Sequence, residues 1–301
     1  MMSKVIVVGS SNTDLVFETP KFPADGETVI GGDFEVISGG KGANQAVSAA
    51  RAGANVLFLT KVGDDEFGSN AIAVYNSEGI DTSFIEKQKG VASGTAMIMV
   101  NQNSGENAII VAPGANKHLN QQNIDRISDQ ITEKDIVLCQ LEIPLTSVAY
   151  LLTQAKSKKA LTILNPAPYQ GISLELLKNV DIITPNETET FGLTGIELVD
   201  QESIERAAFN LLQMVNRAVI ITLGDKGVYL ISHEQKGQFI STSKVKAVDT
   251  TAAGDVFNGY LAAALKDNDL RTAIELGMKS ATLSVTRKGA QPSIPVMNEI
   301  I

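Results

Sequence analysis

Asp255 stands directly behind a run of small residues, Asp249-Thr250-Thr251-Ala252-Ala253-Gly254, at the head of an apolar stretch. Small residues leading into a helix leave its first N–H groups free, making an anion hole at the positive end of the dipole. A carboxylate in that first turn is placed to take a proton from a bound hydroxyl. Taken alone, the segment reads better as an ordinary cap followed by a dipole-friendly acid. A second segment, Gly39-Gly40-Lys41-Gly42-Ala43-Asn44-Gln45-Ala46, opens another helix. Its glycines let a ligand approach the backbone, and Lys41 and Asn44 offer donors. Gly42 follows the Gly-Lys pair where a Walker A loop needs Ser or Thr, and Gly9-Ser10-Ser11 lacks the second glycine of a dinucleotide fingerprint. Thr222-Leu223-Gly224-Asp225-Lys226-Gly227 reads as a strand end and a tight turn.

Polar groups end the other apolar runs. Ser11-Asn12-Thr13-Asp14 follows Val5–Val8, Glu142 follows Ile136–Leu141, Asn165-Pro166 follows Leu161–Leu164, and Pro185-Asn186-Glu187-Thr188-Glu189 follows Ile182–Thr184. Each alone is a plausible cap or loop starter. Together they suggest one cleft, because ligands of open α/β sheets bind beyond the carboxyl ends of the strands. The chain has no H-E-x-x-H, G-x-S-x-G, H-R-D or D-F-G run. His118 and His233 lie in unrelated segments, and Cys139 reads as a buried strand residue.

The elements that must position these groups alternate along the chain. Strands are expected at 4–9, 55–61, 135–141, 160–164, 180–184, 218–223 and 227–232, several apolar nearly throughout, as suits a sheet covered on both faces. Helices are expected at about 42–52, 66–78, 120–131, 145–157, 200–216, 254–266 and 269–286, the sixth with Val256, Phe257, Tyr260, Leu261, Ala264 and Leu265 on one stripe. The pattern predicts an α/β fold with a doubly wound, mostly parallel sheet flanked by helices. Residues 13–36 and the hairpin at 94–111 break the rhythm and form either a small accessory sheet or edge strands of the main one. No linker divides the 301 residues, so a single domain is expected.

The composition narrows the function classes. At 44% hydrophobic residues the chain can bury a large core. A net charge of −9 with no basic stripe argues against nucleic acid and anionic membranes as partners. No apolar run is long enough to span a bilayer, and the start runs straight into the first strand. One cysteine allows no internal disulfide and favours a reducing compartment, so a cytoplasmic location is expected.

The ordered set of segments above resembles the PfkB sugar kinases over essentially the whole chain. Gln140-Leu141-Glu142-Ile143-Pro144, Asn165-Pro166-Ala167-Pro168 and Arg287-Lys288-Gly289-Ala290-Gln291-Pro292-Ser293 point within it to the ribose-phosphorylating branch. The resemblance implies an α/β core with a β lid (strands at about 13–37 and 94–111), dimerisation through lid sheets, and transfer of the ATP γ-phosphoryl group to the 5-hydroxyl of D-ribose. Carried over, Asp14, Gly40, Lys41, Asn44 and Glu142 hold the sugar, with Asn12 on the same wall. Ala252, Ala253 and Gly254 form the anion hole and Asp255 is the base. Asn186, Thr222, Gly224, Asp225, Gly227, Gly254 and Met278 contact ATP, and Asn186 and Glu189 organise Mg2+ through water. Asp249, Thr251, Ser284, Arg287, Gly289 and Ser293 supply oxygens to a monovalent cation, usually K+. Met278-Lys279 departs from the Asn or His expected near the adenine. The residues themselves fit a neutral sugar, whose hydroxyls call for carboxylates and amides and not for an arginine cluster. The other readings are a kinase for another small neutral sugar or a nucleoside, and a non-catalytic sensor on the same fold.

Overall fold

The computed structural model describes residues 3–300. Its strands are β1 (Val5–Val8), β2 (Asn12–Thr19), β3 (Phe34–Gly39), β4 (Val56–Leu59), β5 (Lys61–Gly63), β6 (Glu86–Gln88), β7 (Gly94–Asn101), β8 (Asn107–Ala112), β9 (Ile136–Cys139), β10 (Leu161–Leu164), β11 (Ile182–Ile183), β12 (Ala218–Thr222), β13 (Val228–Ser232) and β14 (Gln238–Ile240). The α-helices are α1 (Lys41–Arg51), α2 (Glu66–Ser77), α3 (Gln121–Asp125), α4 (Leu145–Ser157), α5 (Leu174–Leu177), α6 (Glu187–Thr194), α7 (Gln201–Leu212), α8 (Ala253–Ala264) and α9 (Leu270–Ser284).

The main sheet runs β14-β13-β12-β11-β10-β9-β1-β4, with all strands in one direction except β13, which is antiparallel to both of its neighbours. Within β1, Val5 and Val7 join the layer with α1, α8 and α9, while Ile6 and Val8 join the opposite layer with α4 and α7. That two-sided burial explains the unbroken apolar runs. In register, Val8 lies beside Leu59 on one side and Cys139 on the other, and Cys139 beside Leu164. The polar segments after β1, β9 and β10 therefore emerge along one edge. The chain leaves β1 for β4 on one side and returns at β9 on the other, so the order reverses there. Such a switch point opens a crevice.

The two interrupting stretches form a separate sheet, β3-β2-β7-β8, which settles the choice in favour of an accessory sheet. Its pairing puts Asp14, Val16, Glu18, Glu35 and Ile37 on one face. Leu15, Phe17, Phe34, Val36, Met97, Met99 and Ile110 share the other. Phe34, Val36 and Ile110 on that second face are 52%, 54% and 61% exposed.

Some elements differ from expectation. The helix expected at 120–131 is only α3 and a 3-10 turn at Ser128–Gln130. Ile124, Ile127 and Ile131 are buried as the periodicity requires, but Ser128 and Asp129 favour turns over helix interiors. The helix α7 ends at Leu212, short of the expected 216. The short strands β5, β6 and β14 and helices α5 and α6 carry too little pattern to stand out.

Candidate active site

The crevice is built first from glycine. Gly40 precedes α1 with φ of 90°, and a Cβ there would come within 2.7 Å of the Asn12 nitrogen. A Cβ on Gly39 would lie 2.2 Å from an Asp14 carboxylate oxygen. Only glycine lets the lid strand β2 cross the head of α1 this closely. Glu142, just past β9, accepts from Ser10 Oγ at 2.5 Å and from the Lys41 backbone N–H at 3.0 Å. The Asn12 side chain is nearly buried and accepts from Asn116 Nδ2 at 2.7 Å, so it braces the root of the lid.

Asp14, Lys41, Glu142, Glu189 and Asp255 act on one another electrostatically. Burial, with the nearby Glu142 and Asp255 carboxylates, pushes the Asp14 carboxyl up to about 7. Burial also raises Asp255, which is 5% exposed and feels Glu142; Lys41 and amide hydrogen bonds from Asn44 and Gln45 oppose that rise. The Lys41 ammonium is raised, chiefly by Asp255 and against its own burial, with help from Glu142 and Glu189. Burial raises Glu189 too, opposed by the Asn186 N–H and Lys41 and reinforced by Asp255. A raised carboxyl near a hydroxyl is suited to proton abstraction near neutral pH.

Asn44, expected on the sugar, donates from Nδ2 to Asp255 Oδ2 at 3.0 Å and has its own buried Oδ1 unpartnered. That oxygen remains for a ligand hydroxyl. Gln45, buried completely, donates to Asp255 Oδ1 at 2.9 Å. Its sequence neighbours were singled out for this site and it was not, because an amide inside a helix gives no signal of its own.

Ala252 caps α8 in the left-handed region, φ of 61°, with no side-chain cap. For a non-glycine residue this conformation costs about 1–2 kcal/mol. The Ala253 N–H reaches Thr250 O at 3.3 Å, while those of Gly254 and Asp255 have no acceptor among the described residues. Of this turn, Ala253 and Gly254 line a cavity of about 440 Å³, whose lining includes every residue expected to contact ATP: Asn186, Thr222, Gly224, Asp225, Gly227, Gly254 and Met278. Part of its remaining wall, Thr242–Val245 with Ala247, Phe257 and Thr282, lies outside the residues that the sequence assigned to the nucleotide. The Thr242–Ala247 part of that wall follows the unrecognised β14 and has no regular structure of its own, while Phe257 and Thr282 project from α8 and α9.

Asn186 and Glu189 form a reciprocal capping box on α6: Asn186 Oδ1 accepts from the Glu189 N–H and Glu189 Oε2 from the Asn186 N–H. Among the described residues no three acidic, histidine or cysteine side chains converge to hold a metal directly. Asp249 joins two segments, accepting from the Thr251 N–H at 2.9 Å and the Gly289 N–H at 2.8 Å. Burial favours its protonation, but those hydrogen bonds and Lys288 prevail and hold it below the usual carboxylate value. Lys288 makes no ion pair with Asp249; its ammonium reaches Glu18 and Glu35 of the lid instead. Ser284 and Ser293 are buried beside this loop. The Arg287 guanidinium turns away to Glu299, leaving only its carbonyl for any ligand role.

The model of the pfkB family carbohydrate kinases matches residues 2–297. A ribokinase of Haemophilus influenzae is 43% identical over 302 residues, covering 100% of this chain and 98% of that protein. The crystal structure of a Thermotoga maritima ribokinase superposes with a TM-score of 0.90 at 39% identity, covering 99% of this chain and 98% of that one. The Arabidopsis thaliana ribokinase complexed with ribose and ATP gives 0.91 at 30% identity, over 100% and 98%.

Proposed function

This chain belongs to the pfkB family of carbohydrate kinases, and from that membership we infer that it phosphorylates D-ribose, moving the γ-phosphoryl group of ATP to the 5-hydroxyl. The observation that carries the reading is Asp255: a buried carboxylate at the unpartnered N–H groups of Gly254 and of its own backbone, next to the residue that lines the cavity and coupled to the acids Asp14 and Glu142. The whole chain works as one kinase unit of core and lid.

Asp14, Glu142, Lys41, Asn44 and the Gly40 backbone hold the sugar hydroxyls, with Asn12 stiffening that wall. Asp255 takes the proton of the attacking hydroxyl as the bond to phosphorus forms. The N–H groups of Ala252 and Gly254, with that of Ala253 shared with Thr250 O, stabilise the charge spreading over the transferring phosphoryl oxygens, preorganised by the left-handed turn at Ala252. Asn186, Thr222, Gly224, Asp225, Gly227 and Met278 receive the nucleotide.

The residues fit Mg2+ only through its water shell, since Asn186 and Glu189 already bond to each other. Bound to ATP, Mg2+ neutralises phosphate charge. The cation loop fits K+: an ionised, half-buried Asp249 has no basic side chain at ion-pair distance among the described residues. Thr251, Ser284, Arg287, Gly289 and Ser293 supply the remaining, mainly backbone, oxygens, and the ion fixes the anion hole without touching substrate.

The lid face that exposes Phe34, Val36 and Ile110 suits a second copy's lid. No helix of the described residues is long and apolar enough to cross a membrane. An ATP-dependent enzyme with one buried cysteine suits the cytoplasm.

The test is ADP release by the purified protein with Mg-ATP over a panel of neutral sugars and nucleosides. Ribose is expected to give the highest kcat/KM. A nucleoside or hexose in first place would replace the substrate, and ADP release that no acceptor stimulates would remove the kinase.

A further inference from the structure

One oxygen of Asp255 is held by a buried network of side-chain amides. Gln45 Nε2 donates to Asp255 Oδ1 at 2.9 Å and to Asn165 Oδ1 at 3.0 Å, while Gln45 Oε1 accepts from Gln140 Nε2 at 2.6 Å. Three elements contribute: α1 carries Gln45, the end of β9 carries Gln140, and the end of β10 carries Asn165. Gln45 and Gln140 are fully buried and Asn165 is 6% exposed.

The direction of the network is fixed from one end. Thr184 O can only accept, and Asn165 Nδ2 donates to it at 3.1 Å. Asn165 must then turn its oxygen to Gln45, and Gln45 must turn its NH2 group to both Asn165 and Asp255. Flipping either amide would set donors against donors or acceptors against acceptors in a buried site, where unmade hydrogen bonds are costly. We propose that Gln45, oriented by Asn165 and Gln140, is a positioning residue that holds the Asp255 carboxylate toward the attacking hydroxyl. The inference rests on the reading of Asp255 as the base. It adds a second amide to Asn44, which holds the other carboxylate oxygen from the ligand side.

A group that only aims another should act on turnover and spare binding, because a misaligned reacting group can cost up to about 100-fold in rate. Gln45→Met keeps the length and the packing and removes both donors. Its kcat with the wild-type protein's best acceptor is expected to fall about 10- to 100-fold, with both KM values within about threefold of wild type. Asn165→Ala leaves Gln45 in place but frees its amide to turn; a smaller loss of kcat, again with both KM values kept, is expected, and this variant decides the question if Gln45→Met does not fold. An unchanged kcat in the folded variant overturns the proposal, as does a parallel loss of kcat and of both substrates' affinity, which would mark a general packing role. A wild-type protein that phosphorylates no acceptor removes the kinase reading and this proposal together, whereas an active wild type with an indifferent Gln45 removes this proposal alone.

Discussion

Asp14 gives the sugar site a pH dependence that can be worked from the structure. Its carboxyl titrates at about 7, pushed there by burial and by the Glu142 and Asp255 charges. About one tenth is ionised at pH 6 and about nine tenths at pH 8. If the ionised form is what accepts the sugar hydroxyls, ribose should bind about tenfold more tightly at pH 8 than at pH 6. Calorimetric titration of ribose without ATP measures this with no chemistry in the way, and Asp14→Asn should flatten the dependence. Stability follows the same group. Because the folded value lies above the ordinary 3.8, the contribution of Asp14 is greatest below that value and is lost as pH rises through about 7. A ligand that gives the carboxylate hydrogen-bond donors offsets that loss, so ribose should raise Tm more at pH 8 than at pH 6. Equal ribose affinity at both values, or tighter binding at pH 6, would refute the assignment of Asp14 as an ionised acceptor.

Three further outcomes are expected. Activity at constant ionic strength should depend on whether potassium, caesium, sodium or a bulky organic cation is the sole monovalent ion, and Asp249→Ala should abolish that dependence; identical rates in all four would exclude an activating site. Light scattering should find a dimer at micromolar concentrations that Ile110→Glu converts to a monomer, and a wild-type monomer throughout would remove the lid interface. Gly40→Ala should lower stability by about 1 kcal/mol or more, read as a drop in Tm, because φ of 90° and the 2.7 Å approach to Asn12 both oppose a side chain; an unchanged Tm would contradict the close packing of β2 on α1.

The sequence showed what periodicity and punctuation can show. Val5–Val8 and Ile136–Cys139 are buried on both faces, so they read as strands without ambiguity, and the polar residues after them marked the crevice. On their own residues the Thr222–Gly227 turn and Gly254 read only as a strand end, a tight turn and a helix start, and it was the family resemblance that assigned them to ATP; they line the cavity beside α8. The wall at Thr242–Val245 was not legible, since an irregular segment takes its place from its neighbours and not from its own pattern. Gln45 escaped for a different reason. A glutamine in a helix is most often solvated, and only the convergence of α1, β9 and β10 buries this one against Asp255.

The most direct measurement is phosphoryl transfer by Asp255→Asn beside wild type, with ribose binding measured on the same samples. Asparagine keeps the size of the side chain and removes its basicity. The account expects turnover to fall by about 10²–10⁴-fold while the ribose dissociation constant stays within a few-fold of wild type. Near-normal turnover in that variant would contradict a buried Asp255 acting as the base.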